Sequence, residues 1–224
     1  LWGMTRAHGF AGDLDSARRA AKEGMEIARS AGNVWVAALT QMALGASLVL
    51  ARREKNAIEN LSDALAAMRA CGDTFGQCAA RVWLALAHWR FNQRERALTH
   101  LQTALALAQT HHYDYLFATR TLLGAQDERV LVPLLLAARN RAPALVARAL
   151  AVLGLEQVAA HPGYRLRVQT LGAFRVWRGD EEITAREWQR KKARQLLQLF
   201  ISQRGRRLTR EEIFECLWRD ESPD

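Results

Sequence analysis

The sequence predicts a mainly α-helical chain in two parts, an α-solenoid of helix pairs followed by a small α+β domain. The solenoid is indicated by self-similarity at a period of 40 residues between Met4 and Tyr113, because repeats of this kind are typical of stacked helical units. The small domain is indicated by a change near Ile183 from alternating apolar residues to helical spacing. We therefore expect a repeat domain at 1–158, a linker at 159–163 and the small domain at 164–224.

The repeat is defined by columns of residues at equivalent positions, most of them small. Small residues let neighbouring helices approach closely, and larger residues fill the groove between them. The columns are Ala17, Ala57 and Ala97; Gly24, Ala64 and Ala104; Met25, Leu65 and Leu105; Ala28, Met68 and Ala108; and Leu61 with Leu101. We expect these residues to lie in the contacts between stacked helices.

Short junctions separate the predicted helices. Gly32-Asn33 and Gly72-Asp73 each combine a glycine that ends one helix with a side chain that caps the next. The predicted first helices of two units are Trp35–Ala51 and Gln77–Phe91, and the second helices begin near Asn56 and Glu95. A fourth unit, Tyr115–Asn140, keeps helical patterning but loses the register, so we expect it to cap the array.

The array resembles tetratricopeptide repeat proteins. Leu44-Gly45 stand at the Leu-Gly positions of that family, Ala57 stands at its later alanine, and Leu61 and Ala64 follow at helical spacing. The period of 40 exceeds the usual period of about 34, and no unit carries the Trp, Tyr and Pro signature in full. The resemblance implies stacked helix pairs with a concave surface that binds an unidentified protein or small-molecule effector.

Five ring-bearing side chains of the array are candidates to line that surface. They are Trp35, Trp83, His88, Trp89 and Phe91. Aromatic residues at helical spacing are more often core residues, so we expect helix packing to bury them. His111 and His112 lie in an expected loop without a third ligand nearby, and no metal site is expected there.

From Tyr164 onward the pattern changes. Alternating apolar residues predict antiparallel strands, with turns at Gly172 and Gly179-Asp180. A helical segment follows, and Thr209 with Glu212 forms a capping box that begins a second helix. The residues expected in the core of this domain are Trp188, Leu196, Leu197, Phe200, Ile213, Leu217 and Trp218.

The stretches LRVQTLGAFRVWRGDEEI and EWQRKKARQLLQLFISQRGRRLTREEIFECLW resemble the front half of the winged-helix domain of bacterial transcriptional activators of the antibiotic-regulatory-protein (BTAD) class. The matching positions are Leu171, Gly172, Phe174, Val176 and Gly179; Arg190, Lys192, Ala193, Leu196 and Leu197; and Arg210, Glu211, Ile213, Leu217 and Trp218. In that family a recognition helix and a wing follow a proline-containing loop, to which Glu221–Asp224 would belong. The resemblance therefore implies a winged helix that lacks its recognition helix and wing, in a fragment of a transcriptional regulator.

The positive charge is concentrated in this second part. The chain has a net charge of +9, and residues 164–210 hold 13 Lys and Arg against 4 Asp and Glu. In winged helices the helix ends lie near the duplex, so the resemblance implies double-stranded DNA as the partner, contacted mainly at its phosphates. The candidate DNA-binding residues are Arg190, Lys191, Lys192, Arg194, Arg206, Arg207, Thr209 and Arg210. For Arg194 and Arg204 the alternative is a solvated face or a salt bridge to Glu187 or Glu212.

Several function classes are excluded by what the sequence lacks. It contains no phosphate-binding loop, nucleophile elbow or zinc-protease motif, so we expect no enzyme activity, catalytic residue or cofactor. The three cysteines fit neither a disulfide framework nor a zinc site, and the apolar run Val130–Ala138 is too short to cross a membrane. A cytoplasmic protein without membrane contact is expected.

Two other functions remain as alternatives to DNA binding. One is a protein-protein interaction scaffold without direct nucleic-acid binding, although such a surface needs an exposed apolar or aromatic patch. The other is RNA binding through the basic segment, which lacks the interleaved aromatic residues that stack on unpaired bases.

Overall fold

The computed structural model describes residues 1–179, 181–188 and 190–218. These residues form 11 α-helices, one 3-10 helix and a three-stranded antiparallel sheet, so the chain is mainly helical, as the sequence predicts. Two compact units are present, Leu1–Tyr164 and a second that begins at Arg165. No helix within the described ranges is both long and apolar enough to cross a membrane.

The first unit opens with six helices. They are α1 Trp2–Phe10, α2 Leu14–Ser30, α3 Val34–Leu50, α4 Glu54–Ala70, α5 Thr74–Arg90 and α6 Arg94–His111. Consecutive helices pack in pairs, and α2 to α5 have 17 residues each. Junctions of three residues separate these helices, so that helices α2 to α6 begin 20 residues apart. The predicted starts near Asn56 and Glu95 lie within two residues of the observed ones.

Each junction uses the same backbone device. The residue after the helical cap adopts a left-handed conformation, which turns the chain and lets two amides bond back to the last helical carbonyls. The left-handed residues of the five junctions are Gly12, Gly32, Arg52, Gly72 and Asn92, whereas after α6 the cap residue His112 is itself left-handed. Asn33 and Asp73 then accept the amides of Val36 and Gly76. The predicted glycine stops and caps are therefore confirmed, and Arg52 and Asn92 repeat the same turn without glycine.

The predicted columns form the core of this unit. Ala17, Ala57, Ala97, Leu61 and Leu101 are all 0% exposed, and Met25 is the one column member that is only partly buried. Close approach also explains why α3 contains a glycine, since a Cβ at Gly45 would lie 2.6 Å from Leu61 Cγ. Small residues in the columns thus permit helix spacings that larger side chains would prevent.

After α6 the helices become short. They are α7 Tyr115–Ala118, a 3-10 helix Glu128–Leu131, α8 Val132–Ala137 and α9 Pro143–Val152. Both α8 and α9 pack against α6, the last long helix. Residues 119–127 form neither helix nor strand, so the predicted fourth helical unit, Tyr115–Asn140, is interrupted. The segment predicted as a linker contacts this unit, because Gly163 lies against Pro133.

The second unit contains a small sheet and two helices. The strands are β1 Leu166–Gln169, β2 Arg175–Arg178 and β3 Glu181–Glu182, and the helices are α10 Lys191–Ser202 and α11 Arg210–Leu217. The strands pair antiparallel in the order β1-β2-β3, with Val168 opposite Val176. The predicted capping box of Thr209 and Glu212 is confirmed. The predicted turn residue Asp180 and the predicted loop Glu221–Asp224 lie outside the described residues.

Several predicted core positions are not buried. Phe200 is 46% exposed, and the other core candidates of the second unit are only half-buried, because one small sheet and two short helices enclose little volume. In the first unit, Trp83 and His88 are buried as predicted, whereas Trp35 and Phe91 are 46% and 47% exposed. Both exposed residues stand at helix ends, and the Trp35 indole N–H donates to the Asp73 carboxylate at 2.8 Å.

Candidate nucleic-acid interface

The predicted basic residues lie near the start of α10 and after its end. The Lys192 ammonium donates a hydrogen bond to the carbonyl oxygen of Leu217, so the start of α10 is adjacent to the end of α11. The predicted site residues divide into two groups, one at the start of α10 and the other after its end. Because α10 has 12 residues, the helix between them is about 18 Å long.

The first basic group consists of Arg190, Lys191, Lys192 and Arg194. Arg190 and Lys191 are exposed, whereas Lys192 and Arg194 are half-buried. Lys192 lies 5.1 Å from the centroid of the Trp218 ring, and the Arg194 guanidinium donates to the carbonyl oxygen of Phe174 at 2.8 Å. These two cations thus tie α10 to α11 and to the chain before β2. In this group, Arg190 and Lys191 are the exposed cations.

The start of α10 carries the positively charged side chains of Arg190 and Lys191. No acidic residue occupies the first turn of α10, where carboxylates normally offset the partial positive charge of the helix end. The ion pairs of the described second unit join other arginines to carboxylates, namely Arg175, Arg178 and Arg206. Backbone and side-chain positive charge therefore reinforce each other here, which favours an anion such as a phosphate.

The second basic group consists of Arg204, Arg206, Arg207, Thr209 and Arg210. Arg206 forms an ion pair with Glu212, and Arg204, Arg207 and Arg210 are exposed. Three arginines at this end are thus oriented toward solvent.

Thr209 belongs to the second group by position, but its polar groups are already bonded within the chain. The amide of Thr209 donates to Glu212 at 2.8 Å, and its hydroxyl accepts the Glu212 amide at 3.2 Å. The backbone bond to Thr209, followed by the Arg206 charge, lowers the pKa of the Glu212 carboxyl. The sequence-based role of Thr209 in phosphate binding is therefore not supported by these contacts.

The predicted salt-bridge alternative identified the right carboxylates but the wrong cations. Glu187 pairs with Arg178, and Glu212 pairs with Arg206, rather than with Arg194 or Arg204. Hydrogen bonds from Thr184 are the main reason why the pKa of Glu187 is lowered. Arg194 is held by a carbonyl, and Arg204 stays exposed.

An open groove that the sequence did not reveal lies beside the second basic group. Its volume is about 470 Å³, and it is lined by Thr170, Gly172, Phe174, Gln198, Ile201, Ser202 and Arg204. Next to it, Leu171 is 86% exposed. The groove joins residues that are far apart in sequence. The local sequence signal at its edge is the pair Leu171-Gly172, in which Gly172 adopts a left-handed conformation.

The histidine pair at the end of α6 has structural roles. His112 provides the left-handed turn, and the His111 ring stacks on Tyr113 with centroids 5.4 Å apart. Within the described ranges, no cluster of three or more His, Cys, Asp or Glu side chains has an arrangement that would hold a metal ion.

No protein-family model, curated protein or solved structure matches this chain. Any assignment of function therefore rests on the residues, their contacts and their charges.

Proposed function

We propose that this chain is part of a bacterial transcriptional regulator, in which a tetratricopeptide-like solenoid binds an effector and a winged-helix domain binds duplex DNA mainly at its phosphates. The observation that carries the proposal is the pair of exposed cations, Arg190 and Lys191, at a helix start with no acidic residue in its first turn. The proposed function requires neither catalysis nor a cofactor.

The separation of the two basic groups suits a duplex. The length of α10, about 18 Å for its 12 residues, equals roughly five nucleotide steps of one strand at about 3.4 Å each. Arg190 and Lys191 would contact phosphates at one end of such a segment, and Arg207 and Arg210 would contact phosphates at the other. Contacts of this kind supply affinity and register but do not read the base sequence.

The test is a salt titration of binding to a random-sequence DNA duplex. The variants R190Q/K191Q and R207Q/R210Q remove two charges from each group. The control K22Q/R29Q removes two charges from exposed positions on α2. If each lost phosphate contact lowers the slope of log K against log salt by about 0.9, each double variant of the second unit lowers it by up to about 1.8.

The control K22Q/R29Q is expected to keep the slope of the unmodified chain. If the slope of log K against log salt falls equally in all three variants, net charge alone drives binding. Unchanged slopes in both second-unit variants would refute the phosphate contacts.

A protein-interaction scaffold is the second candidate, and one observation favours it. Leu171 is 86% exposed beside the open groove of the second unit, and Phe200 is 46% exposed. Exposed apolar residues beside a groove are typical of surfaces that contact another protein. DNA binding that is undetectable at low salt, together with pull-down of a protein partner that the change L171S abolishes, would favour the scaffold.

A further inference from the structure

An irregular segment of the first unit is held by side chains of α1 and α5. The Arg6 guanidinium donates to the carbonyl oxygens of Thr121 at 3.0 Å and Gly124 at 3.4 Å. The Trp83 indole N–H donates to the carbonyl oxygen of Leu123 at 2.7 Å. Two side chains that are 77 positions apart in sequence thus bind three main-chain carbonyls of one segment that is neither helix nor strand.

The same segment places apolar side chains against the first helices of three consecutive pairs. Leu122 and Leu123 line a small cavity together with Trp2, Arg6, Phe10, Met42, Ala43, Ala46 and Trp83. These partners belong to α1, α3 and α5, and α3 contacts both of the other helices. We call the surface that these three helices share the array groove. Residues 121–124 of this segment therefore lie against a groove to which three repeats contribute.

The fit of this segment to the array groove is incomplete. The indole nitrogen of Trp2 is buried without an acceptor among the described residues, and a buried donor left unpaired is destabilising. Leu122 is 68% exposed although it borders the cavity. A chain that places one more carbonyl near Trp2 and buries its leucine more fully would bind the same surface better.

We propose that the array groove is a peptide-binding site that residues 119–127 occupy in cis, and that an extended leucine-containing peptide of a partner protein displaces them. The occupant is a peptide because the groove already binds main-chain carbonyls through Arg6 and Trp83, and its apolar wall borders two leucines of the segment. Trp2 supplies the third donor. This inference names the effector class in the proposed function and rests on that half of it; DNA binding by the second unit is independent.

Competition in cis sets the expected affinities. A tethered segment acts at an effective concentration in the millimolar range, so a free peptide binds weakly until the tethered one is weakened. The probe is a fluorescent peptide with the sequence of residues 119–127, TRTLLGAQD. Its binding is measured by anisotropy to the unmodified chain and to the variant L122S/L123S. We expect at least tenfold tighter binding to the variant.

Two further variants identify the site. Adding R6Q to L122S/L123S removes the donor to Thr121 and Gly124, and we expect it to weaken peptide binding at least tenfold. The control I27S/V34S removes two apolar side chains of the first unit that are 55% and 53% exposed and lie away from the groove, and it should bind like the unmodified chain. Circular dichroism confirms that each variant is folded.

Hydrogen exchange on the unmodified chain provides a readout that does not depend on mutation. Saturating peptide should speed exchange of the amides in residues 119–127 and leave α3 and α5 protected. Equal peptide affinity for the unmodified chain and L122S/L123S, or no change in exchange at saturation, would overturn the proposal. Neither readout involves DNA, so failure here leaves the phosphate contacts of the second unit to be judged by their own salt titration.

Discussion

The two units of this chain are held together in different ways. In the first unit whole columns of alanine and leucine are 0% exposed, including Ala57, Ala97, Leu61 and Leu101. In the described part of the second unit Val176 is the only buried hydrophobic residue, and α10 and α11 contain none. The first unit therefore derives its stability from layered apolar packing. The second relies more on hydrogen bonds and cations at helix ends.

The cations of the second unit show what this difference means for function. Lys192 and Arg194 donate to the carbonyls of Leu217 and Phe174. These hydrogen bonds help to hold the second unit together, as apolar packing does in the first unit. Arg190 and Lys191, next to them in sequence, face solvent. A basic run in sequence is thus divided between structural and solvent-facing roles, and only contacts distinguish the two.

Truncating matched leucines should give the largest difference between the units. Leu61 is 0% exposed in the first unit, whereas Leu197 of α10 is half-buried. We expect Leu61→Ala to lower the free energy of unfolding by about 3 kcal/mol, because it leaves a cavity, and Leu197→Ala to lower it by about 1 kcal/mol. Urea unfolding, with hydrogen exchange to assign the loss to one unit, measures both. Equal losses would show that the second unit also depends on a packed core.

Acid should destabilise the first unit through a pair of stacked histidines. The rings of His88 and His100 lie 5.3 Å apart between α5 and α6. Burial, followed by the charges of His88, Arg81, Arg69 and Arg96, lowers the pKa of His100 to about 4. Burial also lowers the pKa of His88, although the hydrogen bond that the Gln93 side-chain oxygen accepts from its Nδ1 at 2.7 Å acts in the opposite direction. The folded state therefore favours neutral rings.

The sign of the pH effect follows from these lowered values. In the unfolded chain a histidine titrates near pH 6.5, so the stabilisation is complete above that pH and is lost as pH falls through 6.5 toward about 4. We expect a loss on the order of 2 kcal/mol between pH 7 and pH 4.5, allowing for partial exposure. Urea unfolding of His100→Gln should show a smaller loss, whereas His8→Gln, at a position whose side chain is 40% exposed, should match the unmodified chain. Identical pH dependence in all three would refute this role.

Much of the first unit could be predicted from sequence because its signals are local. Glycine stops, Asn and Asp caps and a repeated alanine column each act within a few residues, and the helix starts followed from them. The exposure of Trp35 and Phe91 was not predictable in this way, since burial depends on what covers a helix end. The irregular segment 119–127 was also missed, because contacts with Arg6 and Trp83 replace local hydrogen bonds there.

In the candidate site, too, local features could be predicted from the sequence and long-range contacts could not. The basic residues and the capping box of Thr209 were identified from residue type and spacing. Their division between the start of the first helix and the region after its end was also expected from the helix boundaries, whereas the contact of Lys192 with the end of α11 was not. The roles of Lys192 and Arg194 likewise depend on carbonyls 25 and 20 positions away, and no spacing rule relates such distant positions.

The smallest expected effect would stabilise the first unit alone. Arg52 has a φ of 57° at a junction where equivalent positions are Gly32 and Gly72, and its amide and that of Arg53 close the turn onto Val49 and Leu48. The left-handed conformation costs a residue with a Cβ about 1–2 kcal/mol, and glycine loses about 0.5–1 kcal/mol more entropy on folding. We therefore expect Arg52→Gly to raise the free energy of unfolding of the first unit by about 0.5 kcal/mol. The control Arg53→Gly, at a φ of −110°, should not stabilise it, and equal gains at both positions in urea unfolding would show that charge removal, not backbone strain, is responsible.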